Sequence, residues 1–263
     1  MCPAGRRVRC ALRRVKTAAN GYISGVTAQA GVVVVVPAHN EFAALSRSVS
    51  AIRTAAIAAA VPTSVVVVLD ACDDESGDLA GQFGPDVHFV AVDERNVGAA
   101  RAVGFRYATS LDGASKRTWY ATTDADTEVG GDWLIRQLDS SADMVLGLVR
   151  VAQWRHHSKE AAELYEARYR AEMPLHQHIH GANMGFRAEA YWRVGGFAAL
   201  ASGEDVELVE RFRAAGLYVH SDEQLWVTTS DRRRGRAPGG FAEHLADVSH
   251  EVERAEDRAG EAS

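Results

Sequence analysis

The first half of the chain alternates short apolar runs with longer, alanine-rich segments. Four runs, at residues 31–36, 64–69, 87–92 and 118–123, are rich in β-branched or aromatic residues and predict strands. The valine runs at 31–36 and 64–69 are typical of buried strands, and the first of them of burial on both faces in a parallel sheet. Helices are predicted between them, at residues 41–60, 76–83 and 98–111. Strands and helices of this length in alternation indicate an α/β fold with a doubly wound sheet.

The second half follows the same pattern less regularly. Helices are predicted at residues 132–140, 157–173 and 205–215, and strands at residues 144–151, 182–187, 217–220 and 224–229. The sequence shows no internal repeat and no linker, so we expect a single domain over residues 31–248. Residues 249–263 are expected to form a charged tail, with a frayed helix as the alternative.

Residues 1–30 differ from the rest of the chain in composition. They contain six basic residues, and no acid occurs before Glu41. They lack the apolar segment of a secretory signal. A disordered basic arm is expected, or a start codon placed too early, and an arm that contacts a membrane surface or an acidic partner is the alternative.

Composition narrows the classes of function. The 263 residues are 47% hydrophobic and carry a net charge of −6, which disfavours a general nucleic-acid binder. The three cysteines are too few and too scattered for a disulfide framework or a zinc site, so a reducing compartment is expected. No apolar stretch approaches the roughly 20 residues of a membrane span. The expected location is the cytoplasm, with peripheral attachment to a membrane as the alternative.

Polar side chains follow each of the four strands predicted in the first half. The motifs are PAHNE at 37–41, DACDD at 70–74, ERNVG at 94–98 and DAD at 124–126. Ligands of open α/β sheets bind beyond the carboxyl ends of the strands, so these groups should line one crevice. Neither GxGxxG nor GxxxxGK[ST] occurs, so a bound phosphate would be neutralised in another way.

Asp124 and Asp126 offer that neutralisation. Two carboxylates at i and i+2 on a strand end can converge on one Mg²⁺ or Mn²⁺ ion, which also takes ligands from substrate phosphates. The ion would neutralise a diphosphate, including the charge that builds up when the diphosphate leaves. The D-x-D pattern alone is a weak signal, because solvated turns carry it as well.

Seven motifs in order strengthen this interpretation. They are VVVVVPAHNE at 32–41, VVVVLDACDDES at 65–76, RNVGAARAVG at 95–104, TDAD at 123–126, HGANMGFR at 180–187, VGGF at 194–197 and GEDVELVERFRAAG at 203–216. The set resembles the family 2 glycosyltransferases over about residues 31–230. The resemblance implies the GT-A fold, a Rossmann-like mixed sheet in a single domain. It also implies a nucleotide-sugar half at residues 31–127 and an acceptor half at residues 128–248.

The resemblance implies a role for each matching residue. The donor, a nucleotide-diphosphate sugar, would be bound by Pro37, Ala38, Glu41, Asp70, Asn96, Gly98, Arg101 and Asp124. Within this set, Asp70 would accept a hydrogen bond from the base. Asp126 would hold the divalent cation, Mn²⁺ or Mg²⁺. Asp205, paired with Glu204, matches the general base that deprotonates the acceptor hydroxyl, and inversion at the anomeric carbon is expected. His180 and Asn183 would border the acceptor site.

Simpler structural roles remain open for several of these residues. Asp70 could cap a turn, and Asn96 could begin a helix. Glu204 and Asp205 could favour a helix N-terminus without any catalysis. Asn183 could be a structural hydrogen-bond donor beneath the acceptor loop.

Two further clusters have alternative interpretations. His176, His178 and His180 could hold a metal on one face of a strand, or could form a histidine-rich loop, which is favoured. The arginines after the last strand could form a solvated face, or could clasp the diphosphate from a segment hinged at Pro238–Gly240. These arginines are Arg232, Arg233, Arg234 and Arg236. His244 could reach the metal from the same segment.

The sequence departs from processive polysaccharide synthases, because it lacks a Q-x-x-R-W motif after Asp205 and membrane helices. A non-processive enzyme that acts on a discrete acceptor is therefore expected. The acceptor class is open among a small molecule, a lipid-linked group and a glycan, and the oligomeric state is open as well. The alternatives are a retaining transferase or a nucleotidyltransferase on the same fold, and a non-catalytic nucleotide-sugar-binding protein.

Overall fold

The structure is a computed structural model and describes residues 31–111, 117–151, 153–172, 178–233, 235 and 240–261. Eight strands form one mixed sheet in the order β3-β2-β1-β4-β7-β6-β8-β5. The strands are β1 (Gly31–Ala38), β2 (Thr63–Asp70), β3 (Val87–Val92), β4 (Thr118–Thr122), β5 (Glu128–Val129), β6 (Met144–Val151), β7 (Met184–Arg187) and β8 (Val219–Thr229).

Helices connect these strands. They are α1 (Phe42–Ala59), α2 (Val97–Ala108), α3 (Trp133–Asp139), α4 (Lys159–Glu172), α5 (Ala188–Arg193), α6 (Glu204–Ala214) and α7 (Phe241–Glu261), with a 3₁₀ turn at Glu75–Leu79. The first four strands run parallel, and β7 is antiparallel to both β4 and β6. Among the described residues, no helix is both long and apolar enough to cross a bilayer.

The valine run of β1 explains why helices cover both faces of the sheet. Side chains alternate across a strand, so five consecutive valines place apolar groups on both sides. Val32, Val34 and Val36 belong to the core beneath α1 and α3, whereas Val33 and Val35 belong to the core beneath α2, α5 and α6. The predicted doubly wound α/β sheet is therefore confirmed.

A third apolar cluster holds the C-terminal helix in place. Leu148 of β6, Tyr165 and Tyr169 of α4, and Leu245 and Val248 of α7 pack together. The predicted boundary between domain and tail, at residues 248 and 249, falls inside α7, because the helix continues without a break to Glu261. The charged segment is therefore the distal part of a docked helix.

Several predicted elements differ from the observed ones. The two strands predicted at 217–220 and 224–229 are one strand, β8, with a register irregularity opposite Leu146 and Leu148 of β6. The helix predicted at 76–83 is only a 3₁₀ turn that ends at Leu79, because Ala80 has a non-helical ψ of 132° and Gly81 after it has positive φ. Strand β5 and helix α5 were not predicted. The remaining elements begin and end within a few residues of their predicted positions.

Candidate active site

A cleft of about 680 Å³ opens at the carboxyl ends of β1, β2 and β4. The chain passes from β1 to β2 on one side and returns to β4 on the other, so the cleft lies at the topological switch point of the sheet. Its volume falls in the range of about 300–1,000 Å³ that is typical of small-molecule sites. Residues 201–206, at the start of α6, and the start of α7 form the opposite wall.

The loops after the first three strands adopt a backbone that side chains usually avoid. Asn40, Ala71 and Arg95 have φ of 55°, 50° and 50°, in the left-handed region. Hydrogen bonds between loops hold this geometry. Asn40 Nδ2 donates to Asp73 at 2.6 Å, and the Asp73 N–H donates to Asn40 Oδ1 at 2.9 Å. The strand ends therefore form a braced rim around the cleft.

Asp70 lines the cleft and also organises the loop after β3. Its Oδ1 accepts hydrogen bonds from the backbone N–H groups of Glu94 and Arg95 at 2.7 and 2.8 Å, and Oδ2 accepts from that of Asn96 at 2.9 Å. These bonds use three of about four acceptor positions of a carboxylate. The predicted hydrogen bond to a base would use the last position.

Asn96 and Gly98 shape the cleft through the start of α2. Asn96 lines the cleft and caps the helix, because its Oδ1 accepts from the Ala99 N–H at 2.9 Å. Gly98 is not among the residues that line the cleft, although its neighbours Asn96 and Val97 are. A Cβ at Gly98 would lie 2.2 Å from the Ala198 carbonyl oxygen, so glycine permits α2 to contact the 198–200 loop. That loop leads directly into the wall of the cleft.

Arg101 is a buried cation at the floor of the cleft. Its Nη2 donates to Asp124 Oδ1 at 2.6 Å, its Nη1 donates to Glu204, and its Nε donates to Thr122 Oγ1 at 3.3 Å. Burial alone would lower the pKa of Arg101, but Asp124, Glu204 and Asp205 keep it raised. Burial also raises the pKa of the Asp124 and Glu204 carboxyls, against the opposing effect of Arg101.

Asp205 faces the cleft beside Glu204 but makes different contacts. Its Oδ2 accepts from the Gly181 N–H at 2.7 Å, and its Oδ1 accepts from the Val206 N–H at 2.8 Å. Asp205 is partly exposed, whereas Glu204 is buried against Arg101. The structure thus separates the two acids: Asp205 is partly exposed in the cleft, whereas Glu204 is paired with Arg101 at its floor.

Gly181 contacts both Asp205 and Arg101. Besides its hydrogen bond to Asp205, it lies against the Arg101 guanidinium, and a Cβ at Gly181 would be 2.6 Å from Arg101 Nη2. The sequence contains one sign that Gly181 belongs to the site, its place in the HGAN stretch at 180–183. A glycine in a motif does not reveal which side chain packs against it.

Asp126 and Glu41 share a counter-ion. Asp126 Oδ2 accepts from Ser230 Oγ at 2.5 Å and lies 3.3 Å from Arg232 Nη1, which also contacts Glu41 Oε1. The pKa of Arg232 is raised, because Asp126 and Glu41 outweigh the opposing effect of burial. Ser230 was not predicted, since nothing in its local sequence marks a strand-end serine as a carboxylate partner.

The cleft is acidic overall. The described lining residues include six carboxylates, from Glu41, Asp70, Asp124, Asp126, Glu204 and Asp205, against three arginines, Arg95, Arg101 and Arg232. A diphosphate would meet repulsion here unless a cation accompanied it. Pro37 and Ala38 line the same cleft and provide apolar surface beside these charges.

The residues fit a divalent cation if the donor completes its coordination. No group of three or more metal-ligating side chains is found within the described ranges. Mg²⁺-type sites commonly use one or two carboxylates together with substrate phosphates and water. Asp126 is a hard oxygen donor of this type, and Asp124 lies two residues away but is held by Arg101. Of the two aspartates of the DAD motif, Asp126 is therefore the one that could bind a divalent cation.

The ring of His180 lies in the far wall, toward α4 and α7, with two further rings beside it. His180 lines the cleft, and its ring is nearly parallel to those of Tyr169 and His178, with centroids 6.0 and 5.9 Å away. His180 Nε2 lies 3.1 Å from the Tyr169 hydroxyl. His176 lies outside the described residues. His244 also lines the cleft, at the start of α7.

Asn183, predicted to border the acceptor site, and Arg233, predicted either to clasp the diphosphate or to lie on a solvated face, are both outside the cleft lining. Asn183 is fully buried, accepting from Trp133 Nε1 at 2.8 Å and donating to the carbonyls of Leu148 and Leu225 at 2.9 Å. It braces the core, which corrects the predicted acceptor contact. Arg233 is exposed and donates to the His156 carbonyl at 2.5 Å outside the cleft, and Arg232 points inward instead. Arg234 and Arg236 lie outside the described residues.

Comparison with models of protein families identifies the family of this chain. The sequence model described as "Glycosyl transferase family 2" matches residues 33–195, which is more than half of the chain. The chain belongs to glycosyl transferase family 2. The matched region of this family 2 protein contains all four strand-end motifs around the cleft, and the predicted family is confirmed. No curated protein matches the sequence.

Solved structures confirm the GT-A fold of this family 2 protein. TarS 1-349 of S. aureus in complex with UDP-GlcNAc is similar, with 12% identity over 83% of this chain and 64% of that chain and a TM-score of 0.58. The mannosyltransferase PcManGT of Pyrobaculum calidifontis, in complex with GDP-Man and Mn²⁺, has 19% identity over 78% of this chain and 58% of that chain, with a TM-score of 0.57. The chain thus spans less than two thirds of either structure.

Proposed function

We propose that this protein is a metal-assisted, inverting glycosyltransferase that uses a nucleotide-diphosphate sugar. The observation that carries the proposal is Asp205, a partly exposed carboxylate that two backbone N–H groups hold at the cleft wall. Family membership and the acidic strand ends support the same reaction. TarS and PcManGT, which share the fold, are complexed with UDP-GlcNAc and GDP-Man, which supports a nucleotide-sugar donor here.

The donor would occupy the strand ends. Pro37 and Ala38 supply the surface beside the nucleoside, and Asp70 offers its remaining acceptor position to a base N–H. Asp126 would hold a divalent cation, which neutralises the diphosphate and the charge that develops on it as it leaves. The Mn²⁺ bound with GDP-Man in PcManGT supports a cation of this kind. Arg101 keeps Asp124 and Glu204 fixed beneath the sugar.

The proton chemistry belongs to Asp205. It takes the proton of the acceptor hydroxyl as that oxygen forms a bond to the anomeric carbon. The bond between the anomeric carbon and the phosphate oxygen breaks, and the nucleoside diphosphate leaves with the electron pair. Attack from the side opposite the leaving group inverts the anomeric carbon. Glu204 does not compete for the proton, because it is buried and paired with Arg101.

Asp205→Asn tests the base without requiring a known acceptor. Slow donor hydrolysis, with water as acceptor, should fall about 100-fold or more, within the 10²–10⁴ range of general-base catalysis. Donor affinity should stay unchanged, because the variant keeps the shape and an acceptor oxygen for the Gly181 N–H. Glu207→Gln is the matched control, since Glu207 lies in the same helical turn but pairs with Arg211 outside the cleft.

Product analysis separates the proposal from its rivals. Release of a nucleoside diphosphate is expected, whereas a nucleotidyltransferase would release pyrophosphate. NMR of the fresh product should show the inverted anomer, and a retained anomer would refute inversion. The donor itself is identified by thermal shift with UDP-, GDP- and dTDP-sugars, with and without Mn²⁺, because a ligand that binds only the folded state stabilises it by an amount that grows with ligand concentration. The absence of a shift with every one of these donors would refute the donor site.

A further inference from the structure

Arg232 occupies a rigidly supported place in the backbone. On one side, the Asp231 carboxylate accepts from the N–H groups of Arg155 and His156 and lies 2.9 Å from His156 Nδ1. Although burial would raise the pKa of Asp231, these hydrogen bonds keep it lowered, so the carboxylate stays charged. On the other side, Arg233 donates to the His156 carbonyl at 2.5 Å.

These anchors fix the main chain on both sides of Arg232 and leave its side chain as the part that can change partners. That side chain reaches into the cleft through one nitrogen. Nη1 contacts both Glu41 and Asp126, and the described contacts include no hydrogen bond from Nε or Nη2. A guanidinium presents five N–H donors in a fixed fork that matches phosphate oxygens. Most of these donors therefore remain available to an anion that enters the cleft.

The same carboxylate has two potential cations. Asp126 is the proposed ligand of the divalent ion, and its Oδ2 also lies 3.3 Å from Arg232 Nη1. A guanidinium and a divalent ion at one carboxylate repel each other strongly in a partly buried site. A diphosphate removes this conflict, because it attracts Arg232 away from Asp126 and adds ligands to the ion.

We propose that Arg232 is an internal counter-ion that competes with the divalent cation for Asp126 and moves to the diphosphate when the donor binds. The inference rests on the proposed function, since it concerns the same donor site. Its consequence is an ordered dependence in which the free protein binds the cation weakly and the nucleotide strengthens that binding. By linkage, the cation strengthens nucleotide binding by the same factor. Arg232 thus positions the diphosphate and weakens cation binding when the donor is absent.

Mn²⁺ binding without any nucleotide is the direct test. Arg232→Gln removes the charge but keeps a polar side chain, and Arg233→Gln is the matched control because Arg233 lies outside the cleft. Electron paramagnetic resonance of free Mn²⁺ gives the dissociation constant for each protein. We expect Arg232→Gln to bind Mn²⁺ at least 10-fold more tightly than both the wild type and the control. Circular dichroism and thermal unfolding establish that the three proteins are equally folded.

The second measurement repeats the titration with UDP and with GDP. In the wild type and the control, the nucleotide that binds should tighten Mn²⁺ binding by 10-fold or more. In Arg232→Gln this strengthening should shrink to a few-fold, since the competing charge is already gone and the diphosphate has lost its partner.

Two results would overturn the inference. Equal or weaker Mn²⁺ binding by Arg232→Gln, without nucleotide, would show that Arg232 does not compete. If the wild type still gave a donor-induced thermal shift in that case, the proposed function would stand. Absence of Mn²⁺ binding in all three proteins, even with UDP or GDP, would overturn the inference and also remove the cation from the proposed mechanism.

Discussion

Arg101→Met should destabilise the protein more than any exposed charge deletion. The substitution keeps a long side chain but removes the cation that pairs with Glu204 and Asp124. Breaking a buried ion pair from one side costs about 3–5 kcal/mol, because the other charge stays buried without compensation. Most of this cost falls on Glu204, whose side chain is 6% exposed. Asp124 is 39% exposed, so solvent screening reduces its share.

Urea unfolding at pH 7.5, followed by tryptophan fluorescence, measures the free energy of unfolding. Arg47→Met is the matched control, because Arg47 pairs with Glu128 at the surface, where both side chains are more than half exposed. It should cost less than about 1 kcal/mol. Arg101→Met combined with Glu204→Gln should recover part of the loss, since no unpaired buried charge remains at Glu204. A loss below about 1 kcal/mol for Arg101→Met, or no recovery in the double variant, would refute this account of the cleft floor.

Three further variants or conditions test other parts of the site. Gly181→Ala should lower kcat about 10-fold or more with little change in donor affinity, because the new methyl group would press on the Arg101 guanidinium and displace Asp205. Unchanged steady-state kinetics would contradict this. Asn183→Leu should cost about 2–4 kcal/mol in urea unfolding, since it leaves three buried partners unsatisfied, and a selective rise in acceptor KM without lost stability would instead indicate an acceptor contact. The pKa values of Asp124 and Glu204 are raised on folding, so the folded protein binds more protons, and stability should fall as pH rises from about 4 through the raised values. The combined Asp124→Asn and Glu204→Gln variant should flatten that pH profile of unfolding, and an unaltered slope would contradict the assignment.

The sequence predicts the parallel half of the fold well because its signals are local. Continuous valine runs need burial on both faces, and Asp124 and Asp126 follow a strand directly, so their place at the sheet edge follows from chain direction. α7 also had a local signal. Leu245, Val248 and Val252 are spaced for one helix face and pack in the third cluster, although the charges around them suggested a tail.

The missed features depend on contacts between distant segments. Gly98 supports a close approach to the 198–200 loop, a hundred residues away, and no local pattern announces such an approach. The same holds for Arg232 and Arg233, which are neighbours in an arginine run. Asp231 is anchored to residues 155–156, and next to this anchor Arg232 points into the cleft whereas Arg233 contacts the His156 carbonyl outside it.

The position of Arg101 has a consequence for protein engineering. This single side chain, from α2, joins Asp124 of the first half to Glu204 of the second. In a chimera that joined residues 31–127 to the second half of another enzyme, Arg101 would face whatever residue occupies the position of Glu204. The length and orientation of that side chain need not allow an ion pair with Arg101. Acceptor-swapping designs should accordingly exchange the Arg101, Asp124 and Glu204 set as one unit, together with the glycine that packs against it.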